Sequence, residues 1–275
     1  MYSPIGIFDS GVGGLSVLRA IRQQMPAENL LYFADQGHVP YGPRTLGEVR
    51  AFSESITDFL LEQSAKLIVV ACNTASAAAL HYLRESFPDM PFVGMEPAVK
   101  PAAEHTNSGV VGVLATPATF QGALYASVVE RFAKEVTVLQ HTCPGLVKQI
   151  EHGDLDAPST RAILEDALRP MLGSGLDTVV LGCTHYPFAI PLIEQIVGEN
   201  VRVIDPAPAV ARQVKRRLDA LNLRQTEDAL GTVQILTSGK GARLASIIPQ
   251  LCRENFPVQE VIWKDGIPTI KNGQV

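Results

Sequence analysis

The sequence predicts an α/β protein built on mainly parallel sheet, and three observations carry that expectation. Short runs rich in β-branched residues alternate with longer segments of helical period along the whole chain. Most of those runs are apolar on both faces, as strands covered by helices must be. The third observation is an internal similarity. LIVVACNTASAAA at 67–79 and TVVLGCTHYPFAI at 178–190 both read as apolar strand, small residue, cysteine, then polar residues at a helix start.

In chain order, the first expected strand is 5–8 (IGIF), which ends at Asp9 and the glycine loop SGVGG. The second, 30–34 (LLYFA), leads to HVPYGPR, a loop that two prolines make rigid. The third, 67–71 (LIVVA), stops at Cys72 and turns into alanine-rich helix. The fourth, 92–95 (FVGM), is closed by Glu96-Pro97. Then come 110–115 (VVGVLA), 136–139 (VTVL), 178–181 (TVVL), 201–205 (VRVID), 233–237 (VQILT) and 258–263 (VQEVIW). Ten strands are many for one sheet in 275 residues, so two sheets of about five strands are expected. Boundaries are expected near Glu96-Pro97 and at Asp205-Pro206-Ala207-Pro208, where prolines punctuate strand ends. They give a discontinuous first domain, 1–96 with 208–275, and a second of 97–207. The stretch 264–275, KDGIPTIKNGQV, is polar and turn-rich and is expected to be a loose tail.

Composition excludes several classes of function. A formal net charge of −5 without a block of either sign gives no electrostatic reason for a nucleic acid or an anionic membrane as partner. The densest basic cluster, 215–217, sits in AVARQVKRRLDAL and reads as a solvated helix face. The start MYSPIGIFDSGVGG has no basic, then apolar export pattern, and no apolar run approaches a membrane span, so a soluble cytoplasmic protein is expected. Four widely separated cysteines, Cys72, Cys143, Cys183 and Cys252, form no CxxC pair, which argues against a disulfide framework or a structural metal site.

Two of those cysteines point to chemistry. In parallel α/β sheets, ligands bind beyond the carboxyl ends of strands, where free N–H groups and the helix dipole favour negative charge. A thiol there can exchange protons near neutrality and a carboxylate can bind beside it. Asn73 and Thr74 can cap the helix or donate to an anion. Asp9 and His185, also at strand ends, can trade protons with a thiol. The remaining histidines, His38, His81, His105, His141 and His152, are read as structural, and SGVGG lacks the spacing of a nucleotide loop. Its glycines, and HVPYGPR, read as places where backbone comes close to a small ligand. A nucleophilic hydrolase, a redox pair and a two-base racemase each use cysteine. Duplication of the motif favours the last, because opposed proton carriers require two similar groups.

IGIFDSGVGGLSVL (5–18), YFADQGHVPYGPR (32–44), VVACNTASA (69–77), VGVLATPAT (111–119), CPGLVKQIEHGDL (143–155) and VVLGCTHYPF (179–188) run in one order through the chain. In these stretches the sequence closely resembles the glutamate racemases of the aspartate/glutamate racemase family. The resemblance implies two pseudo-symmetric α/β domains with the active site in the cleft between them, no cofactor, no metal, and a homodimer. It implies interconversion of L- and D-glutamate, supplying D-glutamate for peptidoglycan, with aspartate or another acidic amino acid as the alternative substrate. Cys72 and Cys183 carry over as the two bases, and Asp9, Glu151 and His185 as auxiliary acid/base residues. Ser10, Asn73, Thr74 and Thr184 carry over as ligands of the amino and α-carboxylate groups. The backbone of Tyr41 and Gly42 would hold the side-chain carboxylate, and Thr116 and Thr119 would line the site. Gly145, Lys148 and Gln149 depart from the usual pattern near Glu151.

Overall fold

The computed structural model describes residues 3–226 and 229–271. They fall into two compact units, one running to Met95 and resuming at Ala207, the other spanning Glu96–Pro206.

The first unit opens with β1 (Ile5–Asp9), α1 (Leu15–Gln24), β2 (Leu30–Ala34), α2 (Leu46–Glu62), β3 (Leu67–Val70), α3 (Asn73–Ser86) and β4 (Phe92–Gly94). The second unit holds α4 (Val99–His105), β5 (Val110–Ala115), α5 (Pro117–Gln121), α6 (Ala123–Phe132), β6 (Thr137–His141), α7 (Leu146–His152) and α8 (Pro158–Gly173). It continues through β7 (Thr178–Gly182), a 3-10 turn (Tyr186–Ala189), α9 (Ile190–Val197) and β8 (Arg202–Ile204). The chain then rejoins the first unit with α10 (Ala207–Ala220), β9 (Val233–Thr237), α11 (Gly241–Cys252), β10 (Val258–Lys264) and β11 (Ile267–Ile270).

The first unit carries a seven-stranded sheet in the order β11-β10-β9-β2-β1-β3-β4, the second a four-stranded sheet in the order β6-β5-β7-β8. Every pairing is parallel except β10 with β11. The expectation of five strands per sheet is thus corrected to seven and four. The extra strand lies in the segment expected to be a loose tail: Asp265 and Gly266, both at positive φ, turn the chain so that Val261–Lys264 pairs with Ile267–Ile270. The four residues after Lys271, part of that expected tail, lie outside the described residues. The expectation of runs apolar on both faces also fails at the sheet margins. β6 and β8 have no buried residue, because an edge strand is covered less completely than a central one.

In each sheet the chain reverses direction at its first strand. β1 has β2 on one side and β3 on the other, and β5 has β6 on one side and β7 on the other. Such switch points leave a crevice at the carboxyl ends of the strands, where ligands of open parallel sheets bind. Beneath the first switch point lies a core of Phe8, Phe33, Val70 and Ile56, fully buried. Each of these side chains contributes about 1.5–3 kcal/mol by leaving water. Beneath the second, Val111, Val113 and Val180 serve the same purpose. α10 buries Val210, Ala211, Val214 and Leu218 and leaves Arg216 and Arg217 exposed, the solvated face expected of the basic cluster.

Candidate active site

In the first unit, the parallel register brings the ends of β1, β2 and β3 together: Asp9 is level with Ala34, and Phe8 with Val70. Just beyond these ends stand Ser10, Asp35 and, after Ala71, Cys72, and Asp35 donates its backbone N–H to the Asp9 carbonyl at 2.9 Å. Cys72 has extended backbone and caps α3 itself, its Sγ accepting the Ala75 N–H at 3.4 Å. The expected caps, Asn73 and Thr74, lie instead inside the first turn, because the sulfur reaches the orphan N–H first. Cys72 Sγ also lies 4.0 Å from Ser10 Oγ. A sulfur facing a helix N-terminus is favoured as thiolate by the N–H it accepts and by the dipole.

Asn73 is only 5% exposed, and neither its amide oxygen nor its amide nitrogen has a hydrogen-bond partner. A buried amide left wholly unpaired costs about 1–3 kcal/mol. It is relieved when a ligand with both donors and acceptors arrives, and an amino acid carries both.

Asp9 is fully buried, and its Oδ2 accepts from Gly14 N–H at 2.9 Å and more weakly from Gly11 N–H at 3.4 Å. The glycine loop therefore wraps Asp9 and starts α1. Gly14 is needed because a Cβ there would stand 2.8 Å from the Asp9 Cβ and 2.9 Å from the Tyr32 hydroxyl.

The loop after β2 is anchored by Asp35, a residue sequence reasoning passed over. Its fully buried carboxylate accepts from Tyr41 Oη at 2.7 Å, Ser238 Oγ at 2.7 Å and Trp263 Nε1 at 2.9 Å, and meets His38 Nδ1 at 2.9 Å. The available signal was that LYFAD ends in aspartate just as IGIFD does. Tyr41 is 1% exposed, and burial together with the Asp35 charge and hydrogen bond holds its phenol well above the usual range, so it remains a donor. Val39-Pro40 is a cis peptide. Among the described residues no acceptor meets the N–H groups of Tyr41 or Gly42, although Tyr41 O accepts from Arg44 N at 3.0 Å.

In the second unit, Ala115 is level with Gly182, so Thr116 and Cys183 follow the ends of adjacent strands. Thr116 Oγ1 lies 3.0 Å from Thr119 Oγ1. Cys183 Sγ lies 3.8 Å from His185 Nδ1, and His185 Nε2 lies 2.6 Å from Glu151 Oε1. Thr184, His185 and Glu151 are buried, and Glu151 comes from α7. α7 starts at Gly145, whose φ of +91° is a left-handed turn that glycine adopts without strain. Burial alone disfavours the His185 imidazolium, but hydrogen bonds to Cys183 and Glu151 and their negative charge outweigh it, so its pKa stands well above the ordinary histidine value. Cys183, His185 and Glu151 thus form one proton-bearing chain. The motif match with Cys72 is incomplete here, since a 3-10 turn and not an α-helix follows Cys183.

Among the described residues, none of the four cysteines forms a disulfide. Cys143, at φ +43°, is pushed up to about 12 by burial and then by Cys183 and Asp166, which keeps it a thiol. Among the described residues, no cluster of three or more His, Cys, Asp or Glu could hold a metal ion, and no helix is long and apolar enough to cross a membrane.

The sequence profile of the Asp/Glu/Hydantoin racemase family matches residues 5–214. The glutamate racemase of Ectopseudomonas mendocina (strain ymp) is 52% identical over 256 residues, 93% of this chain and 97% of that protein. The crystal structure of a glutamate racemase from Bacillus anthracis superposes with a TM-score of 0.83 at 31% identity, covering 96% of this chain and 98% of that one. That of the Escherichia coli glutamate racemase, in complex with L-glutamate and the activator UDP-MurNAc-ala, superposes with a TM-score of 0.82 at 32% identity, covering 98% and 100%.

Proposed function

We propose that this chain, which belongs to the Asp/Glu/Hydantoin racemase family, is a glutamate racemase that interconverts L- and D-glutamate by proton transfer between two thiols and the α-carbon. The observation that carries this is the pair of strand-end cysteines, each given its own means of bearing negative charge: Cys72 by the Ala75 N–H of α3, Cys183 by His185. Glutamate is favoured over the alternative, aspartate, by the relatives of about half identity, which are glutamate racemases.

With D-glutamate bound, the Cys72 thiolate takes the α-proton and becomes a thiol, while the Cys183 thiol gives its proton to the opposite face of the carbon. Cys183 is then a thiolate, and the His185 imidazolium, held by Glu151, donates to it. L-glutamate runs the same steps in reverse. Asp9 serves the Cys72 side and His185 the Cys183 side. Ser10, Asn73, Thr74 and Thr184 hold the amino and α-carboxylate groups, a role supported by the unpaired Asn73 amide. The open N–H groups of Tyr41 and Gly42 hold the side-chain carboxylate, and Thr116 and Thr119 line the site. An α-proton is far less acidic than a thiol, so fixed donors must stabilise the charge that develops on the substrate as the proton leaves. The thiols carry the protons themselves, so the reaction calls for no cofactor or metal. The enzyme supplies D-glutamate for peptidoglycan in the cytoplasm, and acts as a homodimer.

Racemisation in deuterated water tests the mechanism. Deuterium is expected at the α-carbon of the product, and Cys72→Ala and Cys183→Ala are each expected to abolish turnover. Full racemisation by either variant, or faster turnover of aspartate, overturns the proposal.

A further inference from the structure

Asp35 draws its donors from distant parts of the chain. Tyr41 and His38 belong to its own loop, but Ser238 follows β9 and Trp263 lies on β10, 203 and 228 residues away. Both lie beyond residue 214, where the family match ends. Ser238 Oγ donates to Asp35 and at the same time accepts the Gly37 N–H at 2.8 Å, so one hydroxyl fixes the loop at two points. Beside it, Thr237 Oγ1 donates to Gln36 Oε1 at 2.9 Å, and Ser238 N donates to Ala34 O at 3.0 Å. Trp263 adds shape to its hydrogen bond. Its ring stands edge-on to His38 at 4.8 Å and to Phe52 at 5.8 Å, and His38 stacks on Phe52 at 4.1 Å. Further along the loop, Arg44 Nε donates to His38 O at 2.8 Å. The result is a strap, 35–44, that carries the unpaired N–H groups of Tyr41 and Gly42, whose start is tied to the carboxy-terminal segment and whose end is tied back to His38.

We infer that Ser238 and Trp263 are positioning residues for substrate affinity: through Asp35 they hold the Tyr41–Gly42 backbone in the geometry that receives the side-chain carboxylate of glutamate. This rests on the glutamate reading above. Neither residue touches the reacting atoms, so the effect belongs in binding and not in proton transfer. Apparent affinity falls in proportion to the fraction of molecules whose strap is in the receiving geometry.

The test is the kinetics of Ser238→Ala and Trp263→Phe with D- and L-glutamate. Phenylalanine keeps a ring against His38 and Phe52 and removes only the N–H, so the fold survives. KM is expected to rise about tenfold or more in each, the loss of one hydrogen bond to a charged acceptor, with kcat within about twofold of the unsubstituted protein. Ser238→Thr, which restores the hydroxyl, is expected to return KM to its original value. Unchanged KM in both variants, or a fall in kcat at unchanged KM, overturns the inference. Absence of glutamate turnover in the unsubstituted protein overturns the substrate reading itself, and is seen before any variant is made.

Discussion

Replacing Glu151 by glutamine is expected to lower the pKa of His185. The native pair is 2.6 Å apart and buried at both ends. Glutamine keeps the shape and can still accept from Nε2–H, so what is lost is charge. A hydrogen bond to a charged partner contributes about 1.5–3 kcal/mol and one between neutral groups about 0.5–1.5. The difference, about 1–2 kcal/mol, is about one pKa unit. Burial, which opposes the imidazolium, is unchanged and meets less opposition. The sign for stability follows from the raised value. In the native protein this group's contribution is full below the unfolded pKa of about 6.5 and is lost as pH climbs through the higher folded value. In Glu151→Gln the loss moves to lower pH. An NMR titration of the His185 ring, assigned with His185→Asn, reads the midpoint directly, and the pH profile of racemisation should shift the same way. A midpoint that stays put or rises would refute the account of Glu151 as the group holding the proton on His185.

Two more predictions concern packing and reactivity. Gly14→Ala puts a methyl 2.8 Å from Asp9 Cβ, 2.9 Å from Tyr32 Oη and 3.0 Å from Ala71 Cβ, all rigid neighbours, and is expected to destabilise the fold by about 1–3 kcal/mol in urea denaturation and to cut turnover by moving Asp9; a wild-type midpoint would show that the loop yields. Cys143 and Cys252, both pushed up to about 12 by burial, are expected to resist iodoacetamide at pH 8, while Cys72 and Cys183 react and are protected by glutamate; mass spectrometry showing Cys143 or Cys252 modified first would contradict this.

The strands and their parallel order were legible because buried strands leave β-branched runs in the sequence, and the places of both cysteines at strand ends were legible because the motif occurs twice. Glu151 rested on the resemblance alone: it lies mid-helix in α7, and nothing local says that it meets a histidine 34 residues away. The Asp35 anchor was illegible for the same reason, since Ser238 and Trp263 are joined to it only by sheet pairing of β9 with β2 and β10 with β9. β11 was hidden by composition: Asp265-Gly266 and Pro268 look like a tail, but an edge strand tolerates proline and the two turn residues make the hairpin.

The two cysteines look alike in sequence and are unlike in structure. Cys72 caps a 14-residue helix whose N–H groups keep their partial charge at every pH, whereas Cys183 precedes a four-residue 3-10 turn and depends on an imidazole that titrates. Charge on Cys72 is therefore stabilised by fixed dipoles, and charge on Cys183 by a proton that can leave. In the proposed mechanism the thiolate that begins the conversion of D-glutamate sits on the fixed side, and the one that begins the conversion of L-glutamate on the titrating side. The forward and reverse rates must keep the ratio set by the equilibrium between enantiomers, so the inequality cannot favour one product. The pH dependence of kcat/KM must therefore be the same for both enantiomers, and the inequality is expected to show only in kcat and KM taken separately, read from saturation curves on either side of the His185 midpoint.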